Sequence, residues 1–298
     1  MSAINDPNAV RRQFATDAGL RIRKETHDKY TVPRINFVDW ALNCLQWYGS
    51  ERVLDVGCGT GIYYPPLVER SDAPDKPIQY YGLDFSAGML DRHMAGDEGY
   101  LAIADVQEIP YADSSFDVVM ANHMLYHVSD IERAIQEFKR VLKPDGVIMA
   151  TTNSLQTMPE LQVLMRRAII LLSRSGGGSQ IQAPMAASDL FALENGARQL
   201  SRHFYAVMRH DLPGALMFSE IEPLMAYIES TREMREPQLP ADVAWEDVMV
   251  IMRQQVTHLI NHLGELPINK LTGVLIASDS GDFIRQFVEY RAQTEMSE

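Results

Sequence analysis

The sequence predicts an α/β fold, a mostly parallel sheet with helices on both faces, and three observations carry that prediction. From about residue 50 onward, short apolar segments of strand length alternate with amphipathic segments of helical spacing. The first of those strands ends in an acidic residue and opens onto three glycines at every second position. No segment reaches the run of about 18 apolar residues that a membrane helix requires. With 298 residues, 46% of them hydrophobic, the chain can bury a large core within one elaborated domain.

Residues 8 to about 29 place Val10, Phe14, Ala18 and Ile22 on one helical face, and Pro33 then interrupts. A second helical run at about 34–48 ends at Gly49. Strands are expected at about 52–56, 79–83, 100–104, 116–121 and 146–151, with helices at about 61–69, 86–94 and 130–142 between them. Strands joined through helices make βαβ units, whose ligands sit beyond the carboxyl ends of the strands. After TTNS the texture changes to a Met- and Leu-rich helix at about 157–172. The Gly/Ser stretch SRSGGGSQ at 173–180 reads either as a linker or as a loop over a site. A short helix near 195–203, a strand at about 204–210, helices at about 220–230 and 241–263 and a last strand near 273–278 complete the chain, with no internal repeat.

A formal charge of -13 repels a nucleic-acid backbone unless a local basic patch overcomes the overall field. The one dense basic cluster, Arg11, Arg12, Arg21, Arg23 and Lys24, falls on the N-terminal helix and reads as a solvated face. No nucleic-acid partner and no membrane partner are therefore expected. Two cysteines, Cys44 and Cys58, make neither a disulfide framework nor a zinc pattern, so no metal is expected. The N-terminal MSAINDPNAVRRQF has no apolar stretch after its basic residues, which makes the cytoplasm the expected compartment.

Val53-Leu54-Asp55-Val56-Gly57-Cys58-Gly59-Thr60-Gly61 is the strongest constellation. Glycines let the backbone turn sharply and approach a ligand without a Cβ in the way. A dinucleotide fingerprint G-x-G-x-x-G would need glycine where Ile62 stands, which argues against a nicotinamide-dependent oxidoreductase. No G-K-[ST] follows, which excludes a P-loop, and no tyrosine has lysine four residues later, as a short-chain dehydrogenase would need. An acidic residue beside the turn would repel a pyrophosphate and suits a ligand with a cationic end.

On these residues the sequence resembles the class I S-adenosylmethionine-dependent methyltransferases, in the branch of the ubiquinone and menaquinone biosynthesis enzymes and natural-product tailoring enzymes. The resemblance runs from about residue 50 to 153. It implies a Rossmann-like sheet of seven strands in the order 3-2-1-4-5-7-6, the last strand antiparallel, with helical caps over the site. It divides the chain into an N-terminal helical cap (1–48), a donor-binding core (49–153) and a C-terminal part (154–298) that completes the sheet and shapes the acceptor pocket. The implied cofactor is S-adenosylmethionine, the implied partner a small-molecule substrate, and the implied state a monomer or homodimer.

Carried over residue by residue, the D-x-G-x-G-x-G turn implies that Asp55, Gly57, Cys58, Gly59 and Gly61 wrap the amino-acid end of the cofactor. Asp84, in GLDFS at the end of the second strand, resembles the acid that binds the ribose hydroxyls, with Phe85, Ser86 and Met89 on the same side. Asp105-Val106-Gln107 resembles the turn that recognises adenine.

Methyl transfer from a sulfonium is mostly a matter of positioning, although many acceptors must also lose a proton. Asn122 and His123, at the turn after the fourth strand, should face the donor and the acceptor. His123 is the first candidate for a general base; shaping the pocket or bonding the cofactor is its alternative role. Tyr126 and His127 are further candidates, His127 chiefly for ordering the turn. His27 and Tyr30, at the end of the N-terminal helix, together with Asn153 and Phe218, are the candidate acceptor contacts. The Met/aromatic set Met158, Met165, Met217, Phe218, Met225 and Tyr227 reads mainly as helical core, with some members free to form a pocket wall. Beside this reading stand a catalytically silent protein that binds the cofactor as a sensor or partner subunit, and the disfavoured oxidoreductase. Adenine-base methylation is also disfavoured, because the fourth strand lacks the N/D-P-P-Y/F turn.

Overall fold

The computed structural model describes residues 5–13, 18–72, 76–173 and 182–281. Its strands are β1 (Thr31–Val32), β2 (Arg52–Val56), β3 (Gln79–Asp84), β4 (Tyr100–Ile103), β5 (Phe116–Asn122), β6 (Leu142–Asn153), β7 (Ala206–Phe218) and β8 (Leu266–Ser278). They form one eight-stranded sheet in the order β1-β7-β8-β6-β5-β2-β3-β4. The strands β2 to β6 pair in parallel, whereas β8 runs antiparallel to both β6 and β7. That is the expected seven-strand order with one strand added, since β1 pairs antiparallel with the outer edge of β7 through Thr31 and Val32.

The sequence reading ends β7 at about 210 and begins β8 at 273, yet the two strands pair continuously from Ala206–Ser278 to Phe218–Leu266. Pro213 and Gly214 look like breakers. Pro213 lies opposite Leu271, whose carbonyl accepts from the Ser154 N–H at 2.9 Å and whose N–H donates to the Thr157 Oγ1 at 3.2 Å. Leu271 thus turns both backbone groups away from β7, and a proline at such a non-hydrogen-bonded pair costs no ladder bond.

The helices are α1 (Pro7–Gln13), α2 (Ala18–Tyr30), α3 (Phe37–Leu42), α4 (Tyr64–Val68), α5 (Ala87–Leu90), α6 (Ile131–Val141), α7 (Pro159–Leu172), α8 (Leu193–Leu200), α9 (Ile221–Glu229), α10 (Arg232–Arg235) and α11 (Trp245–Leu263). The expected helix at 8–29 is observed as α1 and α2; Phe14 lies outside the described residues, as does the Gly/Ser stretch from 174 on. The helix expected at 34–48 shrinks to six residues for a local reason. The Asn36 side chain caps its start by accepting from the Val38 N–H at 3.1 Å, and the Trp47 indole N–H takes the Leu42 carbonyl at 2.8 Å, ending the ladder.

Helix α6 shows how the sheet is covered. Asp130 caps it by accepting from the Arg133 N–H at 3.0 Å, and Ala134, Ile135, Phe138 and Val141, at 3–4 spacing, are buried against the sheet. A second core on the opposite face joins Leu42 and Leu67 to Val53, Met120 and Met149. A third packs α7, α9 and α11 against the outer halves of β7 and β8, around Trp245, Leu216 and Ile228.

Candidate functional site

The carboxyl ends of β2, β3 and β5 open into one cavity of about 890 Å³, capped by α1 and α2 and walled on its far side by α9, α10 and β8. That volume lies near the upper end of the range of about 300–1,000 Å³ for ligand pockets. Asp55, Gly57, Cys58 and Gly59 line it from the turn after β2, and Asp84, Phe85, Ser86 and Met89 from the end of β3. Asp105, Val106 and Gln107 lie along the same wall, as do Asn122, His123, Tyr126 and His127 from the turn after β5. His27 and Asn153 also reach it.

Three sequence candidates do not. The Tyr30 ring packs on Phe218 at 4.9 Å, and Phe218 is wholly buried in the third core, so this pair holds α2 to the sheet instead of meeting an acceptor. Gly61 has φ +76°, and a Cβ there would lie 2.4 Å from the His93 ring: this glycine serves close packing, not the cavity. Of the Met/aromatic set, Met158 and Tyr227 line the cavity while Met165 and Met225 are core.

The turn is held from inside. Gly59 has φ +57° with nothing within 4 Å of where its Cβ would stand, so its open side faces the cleft. Its N–H donates to the Asp84 Oδ2 at 2.8 Å, and the Asp84 Oδ1 accepts from the Ser86 N–H at 2.8 Å. The Cys58 N–H donates to the Leu83 carbonyl at 3.1 Å and the Gly61 N–H to the Cys58 carbonyl at 3.0 Å. Three N–H groups that a diphosphate would need are thus spent within the protein. Burial raises the Asp84 carboxyl above its ordinary range.

Behind the turn lies a buried hydrogen-bond chain. The His93 Nδ1 accepts from the Ala95 N–H at 3.1 Å, which leaves the proton on Nε2 to donate to the Tyr80 oxygen at 3.0 Å. The Tyr80 hydroxyl donates to the Asp55 Oδ2 at 3.0 Å. Burial pushes the Asp55 carboxyl up to about 7, against the hydrogen bonds from Tyr80 and Asn122. The Asn122 Nδ2 lies 3.5 Å from the Asp55 Oδ1, and its own Oδ1 is buried with no hydrogen-bond partner among the described residues. A carboxylate and an orphaned carbonyl side by side call for a donor, ideally a cationic one. Further along, both Asp105 oxygens accept from the Gln107 side chain, at 2.9 and 3.0 Å, which stiffens that turn.

The far half of the cavity is of the opposite sign. His123 stands in the left-handed region at φ +51°, its ring 5.4 Å from that of Phe37. Burial and the charge of Lys270 lower its pKa to about 4; burial, then Lys270, lowers that of His27 to about 3. His127 falls to about 3 through burial and the charge of Arg23, and burial raises the Tyr126 phenol. All three imidazoles are neutral at pH 7. Lys270 donates to the Thr31 Oγ1 at 3.0 Å and lies 3.4 Å from the His27 Nδ1.

Arg23, Arg235 and Lys270 line the cavity, and the sequence reading missed all three as site residues. Arg23 belongs to the basic cluster read as a solvated face. That reading holds for Arg21, whose side chain is 66% exposed, but α2 turns Gly19, Arg23, Thr26, His27 and Tyr30 inward, with Leu20 also lining the cavity, and leaves Ala18 and Ile22 on the outside. Helical spacing from Arg23 to His27 was the available signal; the apolar residues drew attention to the wrong face. Among the described residues, no group of three or more His, Cys, Asp or Glu side chains is arranged to hold a metal.

Residues 54–150 match the family model described as a methyltransferase domain. Among curated proteins, the chain is 30% identical over 177 residues to the malonyl-[acyl-carrier protein] O-methyltransferase of Methylovorus sp. (strain MP688), covering 54% of this chain and 55% of that one. It is 36% identical over 116 residues to the demethylmenaquinone methyltransferase of Staphylococcus haemolyticus, covering 37% and 46%. The chain thus spans about half the length of these relatives. Among solved structures, the phosphoethanolamine N-methyltransferase 2 of Haemonchus contortus, in complex with phosphomonomethylethanolamine and S-adenosylhomocysteine, superposes with a TM-score of 0.51 at 17% identity, covering 93% of this chain and 60% of that one.

Proposed function

We propose that this chain, which carries a class I S-adenosylmethionine-dependent methyltransferase domain, transfers a methyl group to an oxygen, nitrogen or carbon nucleophile of a small organic acceptor. One observation carries the reading: the donor half of the cavity offers acceptors where a dinucleotide would need donors. The N–H groups of the glycine turn are already bonded, while Asp55 and Asn122 line the cleft and the Asn122 Oδ1 has no hydrogen-bond partner among the described residues. This set fits a cationic amino-acid end, and the open side of Gly59 gives it room.

Asp55 and Asn122 would hold that end of the donor, Asp84 the ribose hydroxyls and the Asp105–Gln107 turn the adenine, with Met89 and Phe85 packed along it. S-adenosylmethionine bound there supplies a methyl group on a positively charged sulfur, a strong electrophile that needs no further activation. The chain's part is to orient the nucleophile and exclude water. Arg11 supports this from α1, its guanidinium lying over the Phe85 ring at 4.3 Å and closing the donor side. His123, neutral and wedged on Phe37, is suited to orienting the acceptor; an imidazole whose pKa lies near 4 is a weak proton acceptor at pH 7. Burial lowers the Lys270 pKa from its ordinary value.

In this reading residues 1–48 cap the site, 49–153 bind the donor, and 154–298 complete the sheet and wall the acceptor pocket. Calorimetric titration with S-adenosylhomocysteine and with NADH tests it. Binding of the former alone is expected; tight binding of only the nicotinamide overturns the assignment.

A further inference from the structure

The acceptor half of the cavity carries more positive charge than the protein neutralises. The chain has 40 acidic against 27 basic residues, and several cations elsewhere have carboxylate partners: Arg140 with Asp113 and Glu137, Arg209 with Asp211, Arg232 with Glu236. Arg23, Arg235 and Lys270 are half-buried in one cavity, and among the described residues none of them has a carboxylate within ion-pairing distance. Arg23 donates to the Ser230 carbonyl at 2.8 Å. Among the described residues, the Arg235 side chain donates to the Met165 sulfur and the Pro184 carbonyl, both at 3.4 Å. Glu233 and Asp189 act on the two arginines from beyond contact, and Asp28, the acidic residue on the α2 side, is occupied by Lys24 at 2.6 Å.

Desolvating a cation without a counter-ion is costly, and a ligand that supplies the counter-charge recovers that cost on binding. The charges of both arginines act on Tyr227, whose hydroxyl, among the described residues, donates to the Met158 thioether at 3.4 Å, a weak bond easily exchanged for one to an anion.

We propose that the methyl acceptor is an organic acid, with its carboxylate held by Arg23 and Arg235 beside the Tyr227 hydroxyl, and with Lys270 adding to the attracting field. The proposal rests on the reading of this cavity as a methyl-transfer site and names the substrate class. Two planar guanidinium forks and one hydroxyl match a planar carboxylate. A phosphate presents a third anionic oxygen, and the Met158 thioether beside the Tyr227 hydroxyl offers it no donor.

The test uses the full chain saturated with S-adenosylhomocysteine, titrated calorimetrically with 4-hydroxybenzoate and hexanoate, with their uncharged amides, and with phenyl phosphate. The acids are expected to bind about tenfold or more tighter than the amides. In R23Q and R235Q the acid-to-amide ratio should fall toward one while affinity for S-adenosylhomocysteine stays within about twofold of the parent, which also reports that the variants fold. R235K, which keeps the charge and loses the fork, should fall between. Equal binding of acid and amide, a ratio unmoved by both substitutions, tighter binding of phenyl phosphate, or no acid binding at millimolar concentration overturns the proposal. If S-adenosylhomocysteine fails to bind while the acid preference persists and falls in both variants, the methyl-transfer reading fails and the anion site stands.

Discussion

The Asp84 carboxylate grips the glycine turn from the neighbouring strand, accepting from the Gly59 N–H at 2.8 Å. One side chain therefore both shapes the turn and presents charge to the cleft. Hydrogen bonds to a charged group contribute about 1.5–3 kcal/mol. Asp84→Ala is expected to weaken binding of S-adenosylhomocysteine by about 10–100-fold, measured by calorimetry. Unchanged affinity would remove Asp84 from the donor site.

Gly59 and Gly61 should respond to alanine in opposite ways. Gly59→Ala meets no neighbour and incurs only left-handed strain of about 1–2 kcal/mol, yet its methyl group enters the cleft, so donor binding should fail in a folded protein. Gly61→Ala drives a Cβ into the His93 ring and should destabilise by about 2–5 kcal/mol. Thermal unfolding and donor titration of the two variants separate these outcomes, and a stable Gly61→Ala would contradict the packing role.

The Asp55 carboxyl, held up to about 7, loses its proton as pH rises through neutrality. If the ionised form meets the cationic end of the donor, affinity should climb between about pH 6 and 8. Tyr80→Phe removes a hydrogen bond that favours ionisation, so the climb should move to higher pH and affinity at pH 7 should drop. Superimposable pH profiles for the two proteins would rule out this chain of influence.

His27, His123 and His127 titrate near 3, 4 and 3 in the fold against 6.5 in the open chain. Between pH 6.5 and about 4 the unfolded chain takes up protons that these groups refuse, so stability present above pH 6.5 is lost on acidification. Asp55 works in the reverse sense, since its folded carboxyl keeps a proton that an unfolded one, at 3.8, releases. Asp84, likewise raised, adds to that opposition, so the three imidazoles leave a net loss of at most about 2–3 kcal/mol per pH unit. The melting temperature should fall by roughly 5 °C or more from pH 6.5 to 5, and less steeply in His127→Asn. A flat profile would mean that the imidazoles are not buried neutral.

His123→Asn tolerates the left-handed backbone at φ +51° and should leave donor affinity nearly intact while slowing turnover. Equal loss of both would contradict a role toward the acceptor.

The proposed donor half of the site was legible because backbone and side chains there follow from local rules. A strand, an acid and spaced glycines specify a turn, and Asp84 follows at the end of the next strand. The proposed acceptor half was not, because its chemistry comes from elements far apart in sequence: Arg23 on α2, Arg235 on α10 and Lys270 on β8 meet only through the fold. Tyr30 and Phe218 misled for the same reason, being aromatic residues near the site whose contacts are with each other. The end expected for β7 at about 210 falls short because Pro213 does not break the strand, its effect depending on which pair of the ladder it occupies.

Helix α2 carries its ligand-facing groups at a spacing of three and four residues, on a cylinder that repeats every 3.6. A single residue inserted just ahead of Gly19 would roll the remainder of the helix by about 100° if Tyr30 kept its anchorage less firmly than the backbone ladder. Such a rotation withdraws guanidinium and imidazole together, while the strands beneath are untouched. On the proposed reading, acceptor selectivity is therefore open to alteration by rotating one rod, independently of the residues proposed to hold the donor.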